Sequence, residues 1–200
     1  MGKTPDLKPR KSPTQARAAE TVRIILEAAA RILEARGLEG FNTNAVAERA
    51  GVSVGSLYQY FPGKDALAAA LIERDSETLR AEVTAAAALP DPKAALTGMI
   101  AAAVEHQMRR PVLAHLLDVQ ESRLPLGPAQ EDRGAELRAL LAQVLARTSL
   151  PAGLSLETAQ DDIFALVRAL TDQAGARGDT DAHALRERIG RALFGYLDLV

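Results

Sequence analysis

Tyr58, Tyr60 and Phe61 are three of the seven aromatic residues in the chain, and they fall within four positions of one another. Gln59 lies among them and Lys64 follows closely. Immediately before them runs Val52-Ser53-Val54-Gly55-Ser56, a stretch of small side chains that bury little area. Phenol hydroxyls, a carboxamide and an ammonium are hydrogen-bond donors suited to phosphate oxygens and base edges. The arrangement does not suit bond-breaking chemistry. No Ser-His-Asp order with a nucleophile elbow, no HExxH run and no phosphate-cradling glycine loop occurs, and cysteine is absent. An enzyme is therefore not expected, and neither is a disulfide framework or thiolate ligation. His106 and His115 are nine apart with no obvious third ligand, so no metal site is expected. No cofactor is implied.

Charge is distributed in a way that fits these donors. The net charge of −2 conceals a division. Residues 1–64 carry ten Lys/Arg against six Asp/Glu, a net of +4, and the remainder carries fourteen against twenty, a net of −6. The basic end is a candidate polyanion-binding face, although a chance imbalance on a solvated surface gives the same numbers. Hydrophobic residues make up 48% of the 200 positions, which fits a globular chain. No apolar run reaches the ~18 residues of a membrane span, and the N-terminus lacks a signal-peptide core, so a cytoplasmic protein is expected.

The elements that must position the donors are helices. Residues 1–11 hold two prolines and four cations and form a flexible basic arm. Ser12-Pro13-Thr14-Gln15 fits a helix start, with Ser as N-cap and Gln three residues on. Val22, Ile25, Leu26, Ala29, Ile32 and Leu33 recur at helical spacing, and Gly37 stops that helix. Asn42 and Thr43 can cap a short second helix that Gly51 ends. Ser53 can cap a third, through about Tyr60, before Pro62-Gly63. A long helix follows from Lys64 or Asp65 into Ala85–Ala88. Further helices are expected near 93–109, 111–122, 129–148, 155–175 and 181–199, about nine in all, with no convincing strand. The fold class is all-α.

Two short helices joined by a tight glycine turn, with a long helix before them, match the helix-turn-helix plan, whose second short helix enters the DNA major groove. Leu57 and Phe61 then face inward, while Tyr58 and Tyr60 face outward. The run "NTNAVAERAGVSVGSLYQYFPGKDAL", with Ile25-Leu26, Leu33, Gly37 and Gly40-Phe41 ahead of it, resembles the TetR/AcrR family of bacterial transcriptional repressors. The resemblance covers roughly residues 15–70. It implies an N-terminal three-helix DNA-binding domain at 12–64 and an effector-binding and dimerisation domain at 65–200. It also implies that Thr43 contacts a phosphate and that Asn44 lies near the groove. Ser53, Val54, Gly55, Ser56 and Gln59 would form or adjoin the reading face, and Tyr58, Tyr60 and Lys64 would hold phosphates. Many relatives carry His where Tyr60 stands and Thr where Ser56 stands; both replacements keep a polar donor. Only Gln59 and Asn44 offer a bidentate pattern, suited to adenine, so part of any specificity would come from DNA shape. Lys8, Arg10, Lys11 and Arg17 suit either a backbone or minor-groove arm or a solubilising tail.

In the second domain the last two helices would dimerise. Ile163, Leu166, Val167, Leu170 and Ala174 form one stripe; Leu185, Ile189, Leu193, Tyr196 and Leu197 form another. Both stripes could equally serve the core of one chain. An effector pocket would draw on His106, Gln107, His115, Asp118 and Gln120, with Met99, Met108, Leu113, Leu116 and Leu117 as apolar wall. No aromatic lies between Phe61 and Phe164, which favours an aliphatic or mixed lipophilic ligand. The expectation is a homodimeric repressor on a palindromic operator, released when a ligand shifts the helix that begins near Lys64. The alternative is a DNA-binding regulator with no small effector, controlled by a protein partner or by abundance.

Overall fold

The computed structural model describes residues 16–124 and 128–199, and among these every element is an α-helix. The expected arm and the Ser12 helix start lie outside the described residues.

α1 runs Ala16–Gly40. Ile25, Ala29 and Leu33 lose all solvent exposure, which is the consequence of their spacing along one face. Gly37 does break the helix, with φ 61° and ψ −169°, but the chain re-enters helical geometry and the element closes at Gly40. α2 is Thr43–Ala50 and α3 is Val54–Tyr60. α4 runs Lys64–Ala87, α5 Pro92–Arg109, α6 Pro111–Glu121, α7 Pro128–Leu145, α8 Leu156–Arg177 and α9 Ala182–Tyr196. The α7 end falls short of the expected 148, because Ala146 to Thr148 tighten into a turn in which the Thr148 hydroxyl donates to the Leu145 carbonyl. The α9 end falls short of 199: Asp198 takes a positive φ of 52° and the Leu199 N–H donates back to the Phe194 carbonyl, a left-handed helix stop built on aspartate.

The described residues fall into two compact units. One takes those of Met1–Asp75 and His115–Leu126; the other takes those of Ser76–Ala114 and Gly127–Val200. In the first unit α1 packs on α2 and α2 on α3. In the second, α5 packs on α7, α8 and α9 around Leu96, Ile100, Val104, Leu145, Ile189 and Leu193. Here the stripes named for a partner turn inward. Ile163, Leu185, Ile189 and Leu193 keep at most 3% of their surface, and Val167, Leu170 and Tyr196 are half-buried against the same core. A helix buries its largest apolar side chains in its own chain first. The sides of α8 and α9 left to solvent carry Ala165, Arg168 and Ala169, and Glu187, Arg191, Ala192 and Gly195.

Candidate nucleic-acid interface

The turn between α2 and α3 is specified residue by residue. The Asn42 side-chain oxygen accepts from the Ala45 N–H at 2.9 Å and starts α2. At its far end Gly51 sits at φ 68°, and the Gly51 and Val52 N–H groups donate to the Glu48 and Ala47 carbonyls. Any side chain at position 51 would be strained in that conformation. Two residues later the Ser53 hydroxyl oxygen accepts from the Ser56 N–H at 3.0 Å and caps α3; the two serine hydroxyls lie 2.8 Å apart.

α3 is short and is held from one side. Leu57 is wholly buried and Phe61 keeps 1% of its surface. Val54, Tyr58 and Gln59 are exposed on the opposite side, as are Ser53, Gly55, Asn44 and Lys64; Thr43, Ser56 and Tyr60 are half-buried. Tyr60 thus points outward less fully than Tyr58. The Thr43 and Tyr58 hydroxyls stand 3.3 Å apart, one from the start of α2 and one from α3. Each hydroxyl keeps capacity for a further bond to an oxygen presented from outside. Sequence reading named both residues but not their meeting, which depends on how α2 and α3 cross.

Gly55 is informative because the fold does not require it. Its backbone is not in the left-handed region, and a Cβ built there would meet nothing nearer than the Ser53 hydroxyl oxygen at 3.9 Å. A larger residue would fit the free protein, so the fold itself does not call for glycine here. The face offers hydroxyl and carboxamide donors, one ammonium at Lys64, and steric access.

The residues named for an effector divide between the units. Met99, His106 and Met108 are half-buried in the second. His115 is exposed, and Leu116 and Gln120 half-buried, in residues grouped with the first. Gln107, in the second unit, is one of two buried polar residues among those described, and its Nε2 has no hydrogen-bond partner. The other, Thr171, donates to carbonyls of its own helix. An unpaired buried amide costs about 1–3 kcal/mol. Among the described residues no three His, Asp or Glu gather to hold a metal, and no helix is long and apolar enough to cross a membrane.

Residues 25–71 match the model of the bacterial regulatory proteins of the tetR family, and residues 91–197 match that of the tetracyclin repressor-like C-terminal domain. The chain is 36% identical over 94 residues to the HTH-type transcriptional repressor KstR of Mycolicibacterium smegmatis, a match covering 46% of each protein. It is 31% identical over 109 residues to the nucleoid occlusion factor SlmA of Haemophilus ducreyi, covering 52% of this chain and 54% of that one. The chain thus spans about half the length of the curated relatives it matches. Among solved structures, a TetR-like transcriptional regulator from Rhodococcus sp. RHA1 superposes with a TM-score of 0.69 at 22% identity, over 90% of this chain and 97% of that one. The fatty acid degradation regulator FadR from Bacillus halodurans does so at 0.69 and 16%, over 86% and 97%. Both are likenesses of fold.

Proposed function

The chain belongs to the TetR family of bacterial regulatory proteins, and from that premise we propose that it is a homodimeric repressor that binds a palindromic operator and releases it when a small lipophilic molecule binds. The observation that carries the reading is α3 itself. Leu57 and Phe61 hold it from within, while Gly55 and Gln59 are exposed and Val54 and Tyr58 each keep 39% of their surface on the outward side. In the proposed complex Thr43, Tyr58 and Lys64, with part-exposed Tyr60, hold phosphates. Gln59 and Asn44 meet base edges, and Val54, Gly55 and Ser56 let the helix approach the groove closely. Residues 12–64 form the reading domain, and 65–200 serve the effector and the second copy.

Dimerisation is assigned to the outward sides of α8 and α9, not to the stripes buried in each chain. Ala165, Ala169, Ala192 and Gly195 permit close approach, and Arg168, Glu187 and Arg191 supply charges that can pair across a two-fold axis. A palindromic operator read in two adjacent major grooves requires the two α3 helices about 34–36 Å apart, one DNA turn.

The test is fluorescence anisotropy with the DNA flanking the gene for this chain, at two salt concentrations and against excess random DNA. Binding that survives the competitor supports a specific regulator. Binding that vanishes equally on both DNAs as salt rises means only phosphate contacts are at work, and overturns the reading.

A further inference from the structure

We propose that Gln107 is the polar anchor of a small-molecule site inside the second unit, and that its ligand is a mainly aliphatic molecule bearing a carbonyl or carboxylate oxygen; this rests on the effector-responsive reading above. Gln107 lies on α5 and is 95% buried, leaving 5% of its surface, in a unit whose fully buried hydrophobic residues are all aliphatic, with Phe194 and Tyr196 partly buried against them. Its Nε2 has two N–H donors and no acceptor within the fold. Native chains satisfy nearly all such groups, so the exception calls for an acceptor from elsewhere.

The chain also shapes α8 to keep the amide where it is. A Cβ at Gly175 would lie 2.4 Å from Nε2 and 3.4 Å from the Gln107 amide carbon. Gly175 is inside α8, without a positive φ, where alanine is the better helix former. Two unfavourable choices, a bare amide and a mid-helix glycine, therefore meet at one point on different helices. Each explains the other's position, and neither improves the ligand-free fold. Half-buried Met99 and Met108 on the same helix pack against this core and offer adaptable apolar contact. A pair of N–H donors selects an acceptor, and aliphatic surroundings select an alkyl body.

The test uses the full chain, with 2-decanone and decanoate as probes and 1-decene as the control that lacks an oxygen. Melting temperature and the side-chain amide NMR signals of Gln107 are followed in the parent chain, in Gln107→Leu and in Gly175→Ala. Without probe, Gln107→Leu should melt higher by roughly 3 °C, since it removes an unpaired donor at similar volume. At least one oxygen-bearing probe should raise the parent Tm and move the Gln107 signals, 1-decene should not, and both variants should lose the response. A response to the ketone alone assigns a neutral carbonyl; a response to decanoate alone assigns a carboxylate. A lower Tm for Gln107→Leu would show that the amide already has a partner in the fold, and would overturn the proposal. So would silence of the parent chain toward both oxygen-bearing probes, or an undiminished response in the variants. If Gln107→Leu does not fold, Gly175→Ala decides alone. Anisotropy on operator DNA, run alongside, separates the two readings: a parent chain that takes up a probe but holds no DNA refutes the repressor and leaves the Gln107 site standing.

Discussion

At the scale of single residues, the proposed reading gives Gly55 and Gln59 a part in recognition and none in folding. Gly55→Ala has open space around it and gains helix propensity of up to about 1 kcal/mol. The expected outcome is a Tm unchanged or a few degrees higher, with operator affinity reduced by about tenfold or more, or ~1.4 kcal/mol. A variant that binds DNA as tightly as the parent would remove the steric part of the reading. Gln59→Ala should change which sequences are preferred, whereas Tyr58→Phe and Lys64→Ala should weaken binding to all sequences alike. Comparing affinities across a randomised operator set distinguishes these patterns. Leu57→Ala behaves in the opposite way: the side chain is wholly buried, so about 2–5 kcal/mol of stability should be lost, and DNA binding with it. The Asn42 and Ser53 caps, the Gly51 stop and the inward Leu57 were legible in the sequence because each acts locally. A cap, a glycine stop and an inward leucine are read from spacing alone. Gln107 was visible as a polar residue, but its meeting with Gly175 was not, because that depends on how α5 crosses α8.

At the scale of elements, helix ends were read well where the chain marks them with familiar chemistry, as at Asn42, Gly51 and Ser53. They were read less well at α9, where Asp198 takes a conformation usually left to glycine or asparagine. The α8–α9 pair is also tied by a side-chain bond, in which the Tyr196 hydroxyl donates to the Asp162 carboxylate. That bond raises the phenol above its ordinary range. A raised folded-state value means the contribution is complete at neutral pH and fades as pH climbs through and beyond about 10. The Tm difference between the parent chain and Tyr196→Phe should therefore be constant from pH 7 to 9 and shrink above that. Equal Tm values for the two chains from pH 7 upward would mean that Tyr196 acts through packing alone, and a difference unchanged at pH 11 would mean that the hydroxyl's contribution does not titrate as described.

At the scale of the whole molecule, amphipathic stripes on α8 and α9 were plain in the sequence, but what covers them was not. A buried stripe has the same period whether it faces its own chain or a second copy. The two cases now predict different mutants. Ile189→Ala should cost about 2–5 kcal/mol in any state, because Ile189 has no surface left in one chain. Ala169→Glu, on the outward side of α8, should leave helical content intact while sedimentation reports the mass of a single chain. It should also weaken operator binding steeply, since one copy reaches only one half-site. A dimer that survives Ala169→Glu would move the interface elsewhere on the molecule.

The division of α3 between an inward pair and an outward set has a consequence for descent. Leu57 and Phe61 fix the helix, so positions 54, 55 and 59 are free to vary with little penalty to the fold. On the proposed reading of α3, a lineage exchanges one operator for another by a few substitutions there, while the rest of the chain stays as inherited. A designer can do the same by randomising three codons.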